Sequence, residues 1–220
     1  MLKSRYKDDD IIECGVDEAG RGCLWGPFYA GAVIWSVSEE AKKLGEEIKD
    51  SKKISAKKRQ RIYEGILKYG IVGVGVVSAK EIDEWGMTKA NRIAFERALA
   101  DLPMKPGRIL IDGCLAIEQK EQIEQIVEPE MDNNYICVAA ASIVAKVSRD
   151  NWVTEYVEKH SDLQDKYLLM NNKGYGTLAH RIGILTHGRH ELHRNLFLRK
   201  LLGKSKNIQD TTCAFLDEVE

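Results

Sequence analysis

Gly15-Val16-Asp17-Glu18-Ala19-Gly20-Arg21-Gly22 places two adjacent carboxylates at the end of a short apolar segment, then closes with small residues around one arginine. Residues 11–16 predict a strand that ends at Asp17. Paired acids beside an apolar strand are costly unless something positive sits there, and metal ions or a phosphate backbone would both qualify.

Working outward, residues 29–35 and the β-branched run 70–77 predict two further strands. Ser38 and Ser55 predict caps for helices over 39–47 and 56–69, the second with Ile62, Ile66 and Tyr69 on one face. An amphipathic helix is expected from Thr88 to Asp101, ended by the prolines at 103 and 106. Ile109-Leu110-Ile111-Asp112 predicts a buried strand that again ends in a carboxylate. Residues 118–127 fit a helix, 135–138 a last short strand, 139–159 a long helix carrying Asp150, and 177–187 a shorter one. This order argues one α/β domain with a C-terminal helical extension. The expected boundaries are a flexible segment 1–10, a catalytic domain 11–202 and a weakly structured tail 203–220.

The 220 residues carry a formal net charge of −1, so any nucleic-acid role must rest on local basic patches. Residues 49–61 hold seven basic side chains against one acidic, and a second basic stretch runs from His187 to Arg199. The apolar share, 44%, is ample for a core, yet no run is long enough to span a membrane. The first residues lack the apolar stretch of a secretory signal. The five cysteines form no CxxC pair, which favours reduced thiols and a cytoplasmic protein over a disulfide or zinc framework. His187, His190 and His193 lie in a basic turn without cysteines, so no structural metal is expected there.

Asp17, Glu18 and Asp112 stand at strand ends, where ligands bind in α/β sheets. An oxygen-only donor set with no His or Cys favours Mg²⁺ or Mn²⁺ over Zn²⁺. Several convergent carboxylates can hold two ions that activate water and stabilise the leaving oxygen of a phosphodiester. The same residues have plainer readings: Asp17 or Asp112 as a cap, Asp150 as a solvent-facing helix residue, Glu18 pointing away from Asp17. The residues alone leave a nuclease and a duplex-binding module both open.

The motifs go further. Asp17-Glu18-Ala19-Gly20-Arg21-Gly22 with Gly26-Pro27 resembles the opening of the type 2 ribonucleases H. Asp50-Ser51-Lys52-Lys53, the run Ala139 to Asp150, Asn172 to Thr177 with His180, and His193-Arg194 with Phe197 resemble the family's later blocks, in the same order. Ala19 and Arg21 resemble ribonuclease HII more than its HIII relative. The resemblance implies a ribonuclease H-like fold, a mixed five-stranded sheet flanked by helices. It implies cleavage of the RNA strand of RNA–DNA hybrids, and cutting of duplex DNA 5′ of a single embedded ribonucleotide to leave 3′-hydroxyl and 5′-phosphate ends. Roles in ribonucleotide excision repair and DNA replication follow from that activity.

By the same resemblance, Asp17, Glu18, Asp112 and Asp150 would be the catalytic carboxylates and hold two Mg²⁺ or Mn²⁺ ions. Gly20, Arg21 and Gly22 would meet the 2′-hydroxyl and the scissile phosphate, and Tyr175 would stack on the neighbouring deoxyribose. Ser51, Lys52, Lys53, Ser142, Lys146 and Arg194 would contact the duplex. The protein is expected to be a monomer with RNA–DNA hybrid and ribonucleotide-containing DNA as partners. Cys23, Trp25 and Leu196 depart from the family pattern beside the site. Gln209 to Leu216 faintly resembles a sliding-clamp-binding peptide, with Thr at its middle anchor and no second aromatic.

Overall fold

The protein is described by a computed structural model that covers residues 2–48, 55–118 and 123–204. Ser51, Lys52, Lys53 and the tail from residue 205 lie outside the described residues. The chain forms two compact units. One is built from the residues up to Arg21, Phe28–Val77 and Met87–Arg149, the other from Gly22–Pro27, Ser78–Gly86 and the residues from Asp150 onward.

The first unit holds a five-stranded sheet of β1 (Glu13–Ala19), β2 (Phe28–Ile34), β3 (Ile71–Val77), β4 (Arg108–Asp112) and β5 (Glu124–Glu128), in the order β3-β2-β1-β4-β5. The β1–β2 and β2–β3 pairs are antiparallel, the β1–β4 and β4–β5 pairs parallel. This is the mixed sheet of the ribonuclease H-like fold. The helices are α1 (Glu39–Glu47), α2 (Ala56–Tyr69), α3 (Ala79–Ala100) and α4 (Ile136–Lys159), of which the first unit takes α3 from Met87 and α4 up to Arg149. Ser38 and Ser55 cap α1 and α2 by accepting the N–H groups of Ala41 and Lys58.

Alternation along β1 sends neighbouring residues to opposite faces. On the face shared by Gly15 and Asp17, α4 and α2 close over Val33 in a cluster with Ile62, Ile66, Ala140, Ile143 and Val144. The helix backbone comes very close. A Cβ on Gly15 would fall 2.2 Å from the carbonyl carbon of Cys137, and one on Gly31 would fall 2.4 Å from the Ala141 carbonyl oxygen. On the opposite face α3 approaches β3 in the same way, with Gly75 against the Ala94 carbonyl.

Two expected elements differ. Residues 135–138 form no strand: α4 starts at Ile136. Its first turns are buried on all sides, so the apolar run there reports burial and not a two-residue period. The fifth strand is instead Glu124–Glu128, overlapping the end of the stretch expected as a helix over 118–127. It pairs with β4 at the sheet edge, where acidic residues alternate with half-buried ones. The helix expected from Thr88 is present from Met87 to Ala100; a further helical stretch from Ala79 precedes it, separated by Gly86, whose φ of 76° a helix cannot accept.

The N-terminal residues, expected to be loose, are bonded to the sheet. Fully buried Arg108 donates to Asp9 (2.7 Å), Glu13 (2.7 Å) and Glu124 (2.7 Å). The Lys3 carbonyl accepts the Ile136 N–H at the start of α4.

The second unit contains the start of α3 up to Gly86, the end of α4, and α5 (Asp162–Tyr167), α6 (Leu169–Asn172), α7 (Leu178–His187) and α8 (Asn195–Lys204). It is the expected helical extension, joined by two earlier pieces of chain. Trp25, Val153, Leu163, Tyr167, Ile184 and Leu198 share its core. The Asp83 carboxylate accepts the N–H groups of Asn195 and Leu196, satisfying donors at the start of α8. No helix among the described residues is long and apolar enough to cross a membrane.

The approach of α4 to β2 is testable. Gly31→Ala should lower unfolding stability by about 1–3 kcal/mol, because backbone meets the new methyl and no side chain can rotate away. Urea unfolding reads this, and an unchanged midpoint would show that α4 is free to move off the sheet.

Candidate active site

The parallel β1–β4 register pairs Val16 with Ile111. Asp17 and Asp112, the next residue on each strand, therefore stand level at the ends of neighbouring strands. The Asp112 carboxylate accepts the Met131 N–H at 2.8 Å, which fixes the single 3₁₀ turn Met131–Asn133 beside it. That turn carries buried Asp132. Ligand atoms of Asp17, Asp112 and Asp132 all lie within 4.8 Å of one another.

Asp17 is 6% exposed and points to the α4 face, where Ser142 hydrogen-bonds it. Burial pushes its carboxyl well up from the usual range, and the neighbouring Glu18 and Asp112 push the same way. Glu18, on the other face, lies beside Asn91 and 3.5 Å from Arg21. Burial raises its carboxyl too, partly offset by Arg21. Arg21 also donates to the Asn91 side chain at 3.3 Å. The two adjacent acids thus diverge from the strand, as alternation requires.

Gly20 has φ +86°, and a Cβ there would meet the Arg149 guanidinium at 2.2 Å from Nε. Glycine is needed for both reasons. Arg149 is fully buried, so this contact holds the loop down beside the acids. Among the described residues, nothing lies within 4 Å of a Cβ built on Gly22.

The geometry of α4 describes where Asp150 stands. Arg149 follows Ser142 by seven residues, which returns it to within about 20° of the same face. Asp150 is rotated a further 100° or so and lies roughly 12 Å along the axis from the serine that bonds Asp17. Asp150 is half-buried and is not in the acidic group; Asp132 is. The third carboxylate of this group comes from the turn before α4. Its only sequence signal is an acid in Met131-Asp132-Asn133-Asn134 directly ahead of a long buried helix, and a polar loop reading hides it. Lys146, one turn after Ser142, is half-buried on the same face.

In the second unit, Tyr175 is 38% exposed. Its backbone pairs with Cys23, and the Leu24 and Trp25 N–H groups donate to the Gly174 carbonyl. Trp25, which departs from the family pattern, is fully buried and donates from Nε1 to His190 Nδ1 at 3.2 Å. Arg194, expected at the duplex, is fully buried, and its Nε donates to the Gly26 carbonyl at 2.9 Å. A side chain so enclosed offers no surface to a phosphate and acts in the frame of the Trp25 loop. Leu196 donates its N–H to Asp83.

The donor set fits hard divalent cations. Three convergent carboxylates, oxygen only, are crowded and partly dehydrated, and positive charge is what would relieve them. Asp17, Asp112 and Asp132 could hold such an ion directly, with Glu18 adjacent.

Comparison with known proteins bears on the family and the fold. Residues 14–200 match the family model "Ribonuclease HII". A ribonuclease HII of Prochlorococcus marinus (strain AS9601) is 39% identical over 193 residues, covering 86% of this chain and 91% of that protein. The crystal structure of the ribonuclease H2 from Pyrococcus horikoshii OT3 is similar with a TM-score of 0.72 and 26% identity, over 89% of this chain and 99% of that one. The ribonuclease HII solved in complex with PCNA from Archaeoglobus fulgidus gives a TM-score of 0.68 at 28% identity, over 84% of this chain and 94% of that chain.

Two outcomes are expected. Asp132→Asn should cut activity at least ~100-fold and weaken divalent-ion binding by calorimetry, while Asp150→Asn stays within a few-fold on both. The reverse ranking would return Asp150 to the site. Second, a carboxyl raised by folding favours the native state at low pH, and that contribution is lost as pH climbs from the unfolded value through the raised one. An ion competes with those protons. The rise in Tm on adding Mn²⁺ should therefore be larger at pH 8 than at pH 5; an equal rise would separate the raised carboxylates from the ion site.

Proposed function

The chain belongs to the ribonuclease HII family and is an endoribonuclease of the ribonuclease H type, and from that premise we propose that it cuts both uniform RNA–DNA hybrids and duplex DNA carrying one ribonucleotide. Cleavage falls on the 5′ side of the ribonucleotide and leaves 3′-hydroxyl and 5′-phosphate ends. The observation that carries this reading is the convergence of Asp17, Asp112 and Asp132 beside Glu18, next to the loop of Gly20 and Arg21.

Asp17, Glu18, Asp112 and Asp132 would hold two divalent ions, Mg²⁺ or Mn²⁺. Bound there, the ions supply an activated water and charge stabilisation at the leaving oxygen. The chain does the rest. Ser142 holds Asp17 in place by a hydrogen bond. Glu18 and Asn91 steady Arg21, whose half-exposed guanidinium is available to the phosphate. Gly22 leaves room for a sugar edge, and backbone groups of this loop can bond the 2′-hydroxyl that separates RNA from DNA. Tyr175 offers an exposed ring for stacking on the adjacent deoxyribose, a contact blind to base sequence.

Lys146 and the basic residues 49–61, including Ser51, Lys52 and Lys53, would meet phosphates and set the duplex position. The protein acts as a monomer, in ribonucleotide excision and replication inside the cell. The A. fulgidus relative was solved with PCNA; a corresponding clamp contact here would use residues 209–216.

Three labelled substrates test the reading: duplex DNA with one ribonucleotide, a uniform RNA–DNA hybrid and plain DNA, each with Mg²⁺ or Mn²⁺. Cleavage of the first two alone is expected, and Asp17→Asn should abolish it while sparing duplex binding. Failure on both ribose-containing substrates would refute the proposal; equal cutting of plain DNA would point to a different polynucleotidyl nuclease.

A further inference from the structure

We propose that a pair of buried histidines, His180 and His193, forms a neutral strut that positions Tyr175 and thereby sets the preference for a single embedded ribonucleotide. This rests on the reading of Tyr175 as the ring that meets the sugar next to the ribonucleotide.

The hydrogen bonds allow one assignment of protons. The backbone N–H of His190 donates to His193 Nδ1 at 2.8 Å, so that nitrogen is bare and the ring proton of His193 is on Nε2. His180 Nδ1 lies 2.9 Å from the Tyr175 carbonyl oxygen. A carbonyl only accepts, so His180 carries its proton on Nδ1 and leaves Nε2 bare. The two Nε2 atoms are 3.0 Å apart, and His193 donates to His180. The chain of bonds runs from the His190 N–H through both rings to the Tyr175 carbonyl, every donor matched to an acceptor.

A proton added to either ring breaks the chain. A charged His193 would aim Nδ1–H at the His190 N–H, and a charged His180 would aim Nε2–H at the His193 donor. The surroundings oppose that charge. Both rings are buried, and the Tyr167 ring closes edge-on at 5.0 Å from His193 and 6.1 Å from His180. Burial, helped by His180, holds the His193 imidazolium down at about 3, and burial lowers His180 as well.

The strut ends on a residue whose backbone is also held by short turns and by its bridge to Cys23. Tyr175 donates its N–H to the Asn172 carbonyl, and its own carbonyl also accepts from Thr177, the cap of α7. The same carbonyl thus takes two donors, one local and one from the buried pair. His180 belongs to α7, and His193 to the turn that pairs with Trp25. The angle at which Tyr175 leaves the loop is therefore tied to the core of the second unit and not to the loop alone.

His193→Asn keeps an acceptor near the His190 N–H and removes the donor to His180. His193→Gln can place an amide N–H where Nε2 stood and cannot become charged. The asparagine variant should raise KM for the single-ribonucleotide duplex roughly tenfold, the scale of one lost hydrogen bond, with kcat and uniform-hybrid cleavage within about twofold. The glutamine variant should restore most of the preference. In a Tyr175→Ala background, His193→Asn should add nothing further.

If Tyr175→Ala shifts the preference and His193→Asn does not, the strut is wrong and the reading of Tyr175 stands. If Tyr175→Ala itself leaves the preference unchanged, that reading fails first. Ring ¹⁵N shifts of the unmodified protein at pH 7 decide the strut without any variant. Nδ1–H on His180 with Nε2–H on His193 is expected, and a charged ring or reversed tautomers would overturn it.

Discussion

Everything at the site depends on how closely the backbone of α4 lies on β1 and β2. Gly15 and Gly31 have no side chains on that face because Cys137, Val138 and Ala141 backbone atoms occupy the space where a Cβ would be. A helix this close has small residues facing the sheet, hence the run Ala139-Ala140-Ala141-Ser142, all buried. The same approach brings Ser142 to Asp17 and sets the 3₁₀ turn before α4 against the end of β4. A methyl group in the wrong place would disturb the carboxylates without touching one of them.

The acids are an unfavourable arrangement for an isolated fold. Burial and mutual repulsion raise both Asp17 and Glu18, and the folded chain keeps them together by bonds that do not neutralise them: Ser142 on Asp17, the Met131 N–H on Asp112. Arg21 offsets part of the charge at Glu18, on the far face of β1 from Asp17. Strain of this kind at the mouth of a sheet is a mark of function more than of stability. The rest of the first unit offsets it with packed apolar faces on both sides of the sheet.

Strand-end acids and the glycine-arginine loop were legible because their spacing follows from the strand itself. A strand that stops at an acid delivers it to the sheet edge, whatever the tertiary detail. Asp132 was hidden for the opposite reason. It sits in a polar turn with no periodicity, and its role exists only because Asp112 accepts the Met131 N–H. Asp150 stands in a conspicuous motif of α4, whose Ser142 bonds Asp17 and whose Arg149 packs on Gly20. The fifth strand was misplaced for a related reason. The apolar start of α4 mimics a strand because the helix is buried all round, while the edge strand β5 is too acidic to announce itself.

The chain passes between the two units at Arg21, Pro27, Val77, Gly86 and Arg149. Such interleaving argues against two independent domains, since neither unit is a continuous stretch of sequence. It also separates two tasks. The carboxylates and Arg21 belong to the unit with the sheet; Tyr175, its histidine pair and Trp25 belong to the helical one. Trp25 lies in the same loop that begins with Gly20-Arg21-Gly22, and its burial against Trp152 and Tyr156 anchors the far end of that loop. The indole N–H of this anchor is satisfied by His190. His190 in turn donates its backbone N–H to His193, so the anchor of the glycine-arginine loop and the support of Tyr175 meet at one histidine.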